Sequence, residues 1–258
     1  MSLHHIARML LATTAVALCV PASGHALAIG IADQKADMFS DPLFLTEHFP
    51  VARRQVPWNV MQDEKQRAQL DAWMAGARAA HVRPLITFGP GTGEARRVLP
   101  TPSALARQLH LIRAEYPWAR EFGSWNEANH CGSGMCRRPG LVARYYVALR
   151  RSCRACVVLA AEVLDVRNMR AWIARFTAAL PVRYRHGIHW GLHNYVDANR
   201  LQTRGTIALL RATTGPVWLT ETGGIVRRRN PHKVSFEEST AHAARATRWL
   251  FDRIVPLS

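Results

Sequence analysis

From Ala28 onward the chain alternates seven times between a short apolar run and a polar stretch, most with helical periodicity. The runs are AIGIAD from Ala28, VARRQV from Val51, PLITF from Pro84, REFGSW from Arg120, CVVLAA from Cys156, GIHWGLHNY from Gly187 and PVWLTE from Pro216. Between them, apolar residues recur at helical spacing. Leu70, Trp73, Met74 and Ala77 share one face after Asp63; Leu105, Leu109, Ile112 and Tyr116 share one after Thr101-Pro102, which reads as a cap and first turn. Further helices are expected around 141–151, around Trp172, Phe176 and Leu180, and at 205–212. A last one is expected over 236–254, with Ala243, Ala246, Leu250 and Phe251 available for its inner face. Strands that alternate with helices imply a parallel sheet, and runs apolar on both faces are what helix-covered parallel strands require. The turn GIADQK after the first run lacks the glycine pattern of dinucleotide binding, and seven units are many for one doubly wound sheet. The expected fold class is α/β, a (β/α)8 TIM-type barrel with seven units visible. No eighth unit follows the seventh helix before RIVPLS, so the C-terminal unit is expected to be missing.

The first 28 residues read as a signal peptide rather than as fold. Arg8 precedes the apolar run MLLATTAVALCV, Pro21 and Gly24 break it, and Ala26-Leu27-Ala28 supplies small residues for cleavage. The run is short for a membrane span, and no other stretch could cross a bilayer, so no stable membrane anchor is expected. The expected division is a leader over 1–28 and one barrel domain over 29–258, secreted or extracytoplasmic. Export changes the reading of the cysteines. Of the 5 present, Cys19 lies in the leader; Cys131 with Cys136, and Cys153 with Cys156, form two local pairs. In the cytosol such pairs suggest zinc, but in an exported chain they read as short-loop disulfides.

The formal charge is +16, and Arg8 is the one charge in the leader, whose removal leaves +15. The arginines are scattered through the helical stretches with no aromatic-interleaved stripe; the densest run is Arg227 to Arg229. They read as a solvated basic surface suited to anionic cell-wall or polysaccharide material, not as a nucleic-acid site. No histidine spacing fits a zinc template, and neither metal nor cofactor is expected.

Catalysis in such a barrel sits at the carboxyl ends of the strands. Glu127 follows the fourth run in SWNEAN, and Glu221 ends the seventh in VWLTETGG, so two carboxylates could face one cavity across the barrel mouth. Hydrolysis of a glycoside with retention needs such a pair, one protonated to serve the leaving oxygen and one ionised to attack the anomeric carbon. At WNE and TETGG the chain resembles the clan A glycoside hydrolases. That resemblance implies Glu127 as acid/base, Glu221 as nucleophile and Asn126 as the ligand of the sugar 2-hydroxyl. It also implies Arg53 beneath the nucleophile (with Arg54, on the opposite face of the strand, as the rival) and, through HNY, His193 on the sugar and Tyr195 on the nucleophile's oxygen. Trp58, just past a strand, is the candidate sugar platform. Trp190 reads as core, Trp125 fits either role, and Asp33 and Asp165 end strands as structural residues or ligands. The function implied is a secreted, monomeric retaining glycosidase acting on a poly- or oligosaccharide. The alternative is a non-catalytic carbohydrate-binding protein on a truncated barrel.

Overall fold

The computed structural model describes residues 27–228 and 236–257. All but the last two residues of the expected leader, and Arg229 of the basic run, lie outside the described residues. Seven parallel strands form one nearly closed barrel in simple sequential order, β1 (Gly30–Ala32), β2 (Val51–Pro57), β3 (Arg83–Gly89), β4 (Glu121–Gly123), β5 (Val157–Leu164), β6 (His189–His193) and β7 (Val217–Glu221). Among the described residues there is no eighth strand, and β1 and β7 are the two edges. Around the sheet run α1 (Pro42–Glu47), α2 (Glu64–Ala79), α3 (Pro102–Glu115), α4 (Pro139–Ser152), α5 (Met169–Ala179), α6 (Tyr195–Asn199), α7 (Arg204–Ala212) and α8 (Thr240–Trp249).

The helix starts follow local chemistry. The Asp63 side chain accepts from Gln66 N at the head of α2, and Thr101 Oγ1 accepts from Ala104 N at the head of α3, where Pro102 needs no amide partner. The expected inner residues Leu70, Trp73, Met74 and Ala77 of α2 are buried, as are Leu105, Leu109 and Ile112 of α3. They meet the outward faces of the strands in a single core that also takes in Trp125, Tyr145, Trp172, Phe176 and Trp190. Trp125 and Trp190 are thus both core residues. The short α1 was not expected; Asp41 caps it and Pro42 opens it.

One expectation fails at the last helix. α8 ends at Trp249 and continues as a wider π turn over Leu250–Ile254. The π turn shifts the helical phase, so Leu250 and Ile254 stay buried while Phe251, expected inside, is 42% exposed.

Inside the barrel, two glycines make room for charge. A Cβ on Gly123 of β4 would lie 2.5 Å from Thr87 Oγ1, and one on Gly191 of β6 would lie 2.5 Å from Glu162 Cγ. Those strands carry no side chain there because neighbouring strands send polar ones across.

Candidate active site

Strand alternation decides between the two arginines of β2. Arg54 points outward, donates to the Gln34 carbonyl oxygen at 2.5 Å and lies over the Trp73 ring. Arg53 points inward and is 3% exposed. Its guanidinium donates through Nη1 to Glu221 Oε1 at 2.6 Å, through Nη2 to Asn126 Oδ1 at 2.7 Å, and through Nε to Glu162 Oε1 at 3.0 Å, with a further Nη2 contact to Glu162 Oε2. One side chain therefore gathers β4, β5 and β7 at the mouth. From α6, Tyr195 donates its hydroxyl to Glu221 Oε2 at 3.2 Å, so both oxygens of that carboxylate are held.

His193, at the end of β6, is fully buried. Its Nδ1 lies 3.4 Å from Glu127 Oε1 and 3.7 Å from Glu221 Oε2, and its Nε2 lies 3.4 Å from Glu162 Oε2. Glu127, His193 and Glu221 present polar atoms all within 4.8 Å of one another. One oxygen of Glu127 and one of Glu221 thus lie within 4.8 Å of each other; displacement with retention uses two carboxyl groups about 5 Å apart. The same three groups are those that could converge on a divalent cation, although Arg53 and Tyr195 already hold both oxygens of Glu221.

Glu127 is presented by strained backbone. Past Gly123 the chain stays pinned to its neighbours: Asn126 N donates to Phe88 O, Glu162 N to Trp125 O, and Ala128 N to Glu162 O. Between these anchors Glu127 takes φ of 46°, the left-handed region that costs a non-glycine residue about 1 kcal/mol. Asn129 latches the following loop to β5, its side chain exchanging hydrogen bonds with both backbone groups of Leu164. The Cys131–Cys136 disulfide then clips the loop, and His130 at its start stands 3.7 Å from Glu127 Oε2.

The charges are set by mutual contact. Burial alone would discharge Glu162, but Arg53 and His193 overcome it and pull the carboxyl down to about 2. Burial likewise works against charge on His193, yet Glu127, Glu162 and Glu221 raise it to about 9, so it is an imidazolium at neutral pH. Burial opposes ionisation of Glu127 too, and His193, then His130 and Arg53, reverse that and lower it. Burial and then the Glu221 carboxylate keep the Tyr195 phenol protonated, well above its usual range. Arg53 is held charged by Glu162 and Glu221 against the same burial cost.

No described protein family and no curated protein matches the sequence. Solved structures do match the fold. Two fungal β-1,4-galactanases are represented by a structure 14% identical, covering 90% of this chain and 87% of that one, with a TM-score of 0.56. A β-glucosidase is 15% identical over 84% of this chain and 74% of its own, with a TM-score of 0.53. The catalytic domain of a mannanase from Streptomyces sp. SirexAA-E is 15% identical over 87% of this chain and 71% of its own, also at 0.53. The chain shares the TIM-type (β/α) barrel fold of these solved glycoside hydrolases.

Of the residues singled out on clan A grounds, Glu127, Glu221, Asn126, Arg53, His193 and Tyr195 come together in this one cluster. His193 sits beneath the two carboxylates rather than at the cavity surface. Trp58 stands apart: it follows β2 at the same end of the barrel, half-buried, and donates to the Val98 carbonyl oxygen. Asp165 serves the scaffold, its carboxylate accepting from Val196 N and Asp197 N at the head of α6. Asp33 accepts from Lys35 N in the turn after β1. Two members of the site were missed. Glu162, fully buried, binds Arg53, His193 and the Thr87 hydroxyl (2.7 Å), and Thr87 is the other. Its signal is in the sequence: a glutamate inside the apolar run VVLAAEVL must bury its charge, and a buried charge needs a partner.

Proposed function

We propose that the chain is an exported retaining glycoside hydrolase acting on a poly- or oligosaccharide. The observation that carries this reading is the close approach of Glu127 and Glu221 at the barrel mouth. Glu221 is the nucleophile: Arg53 and Tyr195 hold its two carboxylate oxygens and orient it toward the anomeric carbon. Glu127 is the acid and then the base. It begins ionised, with the proton it needs on His193 beside it, and the two titrate as a pair that carries one proton. A sugar entering the cleft excludes water from Glu127, which favours its neutral form and draws that proton onto the carboxyl. Glu127 then protonates the leaving oxygen as Glu221 bonds to the sugar, and in the second step takes a proton from the attacking water. Asn126, its oxygen fixed by Arg53, turns its amide NH2 toward the 2-hydroxyl. The fold relatives named for β-glucosidase, β-1,4-galactanase and mannanase activity make β-linked hexosides the first substrates to try.

The test is a 2-deoxy-2-fluoro glycoside with a good leaving group, followed by peptide mass spectrometry. Label on Glu221 and none on Glu127 is expected, and Glu221→Ala should lose about four orders of magnitude or more in kcat while remaining folded. If a broad panel of glycosides is not cleaved but a polysaccharide retards the protein in an affinity gel, the carbohydrate-binding alternative replaces this reading.

A further inference from the structure

The surplus positive charge is not spread evenly. Between Ala128 and Thr220 the sequence has fourteen arginines, no lysine and three acids, Glu162, Asp165 and Asp197. All three acids are buried, at 0%, 7% and 0% exposure. The outer surface built by this half of the barrel therefore carries arginine with no acidic counterpart. Among the described residues, no ion pair involves any of the fourteen; the surface ion pairs lie elsewhere, at Arg67–Glu115, Arg83–Glu121, Arg228–Glu238 and Arg245–Glu237.

The densest part lies at the pole opposite Glu127, where the loops lead into β4, β5 and β6. Arg120, Arg151, Arg154 and Arg183 are all exposed there. Backbone and side-chain contacts hold them side by side. Val157 N donates to Arg120 O, the Cys153–Cys156 disulfide closes the turn that carries Arg154, Arg151 donates to the Tyr184 hydroxyl at 3.3 Å, and Arg183 lies over the same ring. The nearest acid, Glu121, is mostly buried and turned to Arg83. Burial, and then Arg150, which is also at this pole, keep His189 below the ordinary histidine range. Like charges gathered without counter-ions cost stability, and a bound polyanion relieves that cost.

We infer that this pole is a binding surface for an acidic polysaccharide. Guanidinium forks pair bidentately with carboxylate or sulfate groups repeated along such a chain. Two observations favour it over nucleic acid. Tyr184 is covered by Arg183 and bonded to Arg151, and the rings leading into β4, Tyr116 and Trp118, are partly buried against the core, so no fully exposed ring there is offered for base stacking. The two disulfides fit an oxidising compartment. The inference does not depend on the glycosidase reading, since the surface lies across the barrel from the carboxylates.

The experiment measures binding of the whole protein to polygalacturonate and to a duplex DNA of matched length, by anisotropy at several salt concentrations. Polygalacturonate should bind at physiological salt, more tightly than the DNA, with affinity falling about tenfold or more between about 50 and 200 mM NaCl. Replacing Arg120, Arg151, Arg154 and Arg183 together by alanine should weaken it about tenfold or more, and lysine at the same four positions should restore part of the loss. A control removes the same charge away from this pole, at Arg107, Arg144, Arg170 and Arg204, exposed residues at the starts and middles of α3, α4, α5 and α7. Equal loss in both sets, no binding at physiological salt, or tighter binding of the DNA overturns the proposal. Melting curves identify any variant that has lost its fold, in which case the lysine set carries the comparison.

Discussion

Glu162 holds more of the site together than either carboxylate that faces the cleft. Arg53 bridges from it to Glu221 and Asn126, and His193 bridges from it to Glu127. Its negative charge is what allows two buried cations to stand beneath the cleft. Glu162→Gln keeps the shape but removes that charge, leaving Arg53 and His193 sharing the two cleft carboxylates. Breaking a buried pair of this kind costs about 3 kcal/mol or more, which denaturant unfolding would register. A purely structural role predicts nothing further. On the glycosidase reading proposed above, a role in setting the charge of His193 predicts that the alkaline limb of kcat/KM moves down with the substitution. An unmoved limb would leave Glu162 as scaffold alone. At this scale the sequence was half legible. Glu127, Asn126 and Glu221 stand at strand ends, where side chains reach a cleft, and Arg53 was one of two candidates. Glu162 escaped because it sits inside a strand, where apolar neighbours signal core and only its three-dimensional partners reveal its purpose.

Elements place these residues by being short where the site needs irregularity. β4 is three residues long, and beyond Gly123 its backbone bonds go to β3 and β5 while Glu127 turns into the left-handed region. The loop that follows is fixed twice, by Asn129 on Leu164 and by the Cys131–Cys136 clip. Opening that clip in Cys131→Ser/Cys136→Ser should cost about 2 kcal/mol of stability, because the closed loop is short. It should also free His130, 3.7 Å from Glu127, so that the carboxyl loses one of the cations holding it low. Glu127 should then titrate higher, and the acidic limb of kcat/KM should shift upward. A variant that is less stable but has an unchanged acidic limb would show that the clip serves the fold and not Glu127. Helix starts were legible because Asp63 and Thr101-Pro102 act locally. The end of α8 was not: a π turn is decided by what packs against Leu250 and Ile254, and Phe251 is outside as a consequence.

For the whole molecule, seven strand–helix alternations pointed to a parallel sheet, and their number, with no dinucleotide glycine pattern after the first strand, favoured a barrel over a doubly wound sheet. How β1 and β7 stand at the open seam could not be read, since closure depends on twist and shear accumulated over every strand. The barrel concentrates three carboxylates, an imidazolium and a guanidinium at its mouth and leaves the outside to arginine, and that separation makes one prediction clean. Arginine does not titrate between pH 7 and 10, the chain has only Lys35, Lys65 and Lys233, and its four barrel cysteines are in disulfides. Among the surface groups, Arg151 holds the Tyr184 phenol below the usual tyrosine range, so that it can titrate at the upper end of this interval, while the arginines keep their charge throughout. His193 is not silent: its folded value, about 9, lies above the ordinary 6.5. A raised value means that the stabilisation is fully present below pH 6.5 and is lost as pH rises through about 9, an effect of about 3 kcal/mol. Thermal melting should accordingly decline between pH 7 and 9.5 in the native protein, and the decline should flatten in His193→Gln. If the two proteins decline in parallel, the imidazolium is not what the three carboxylates hold.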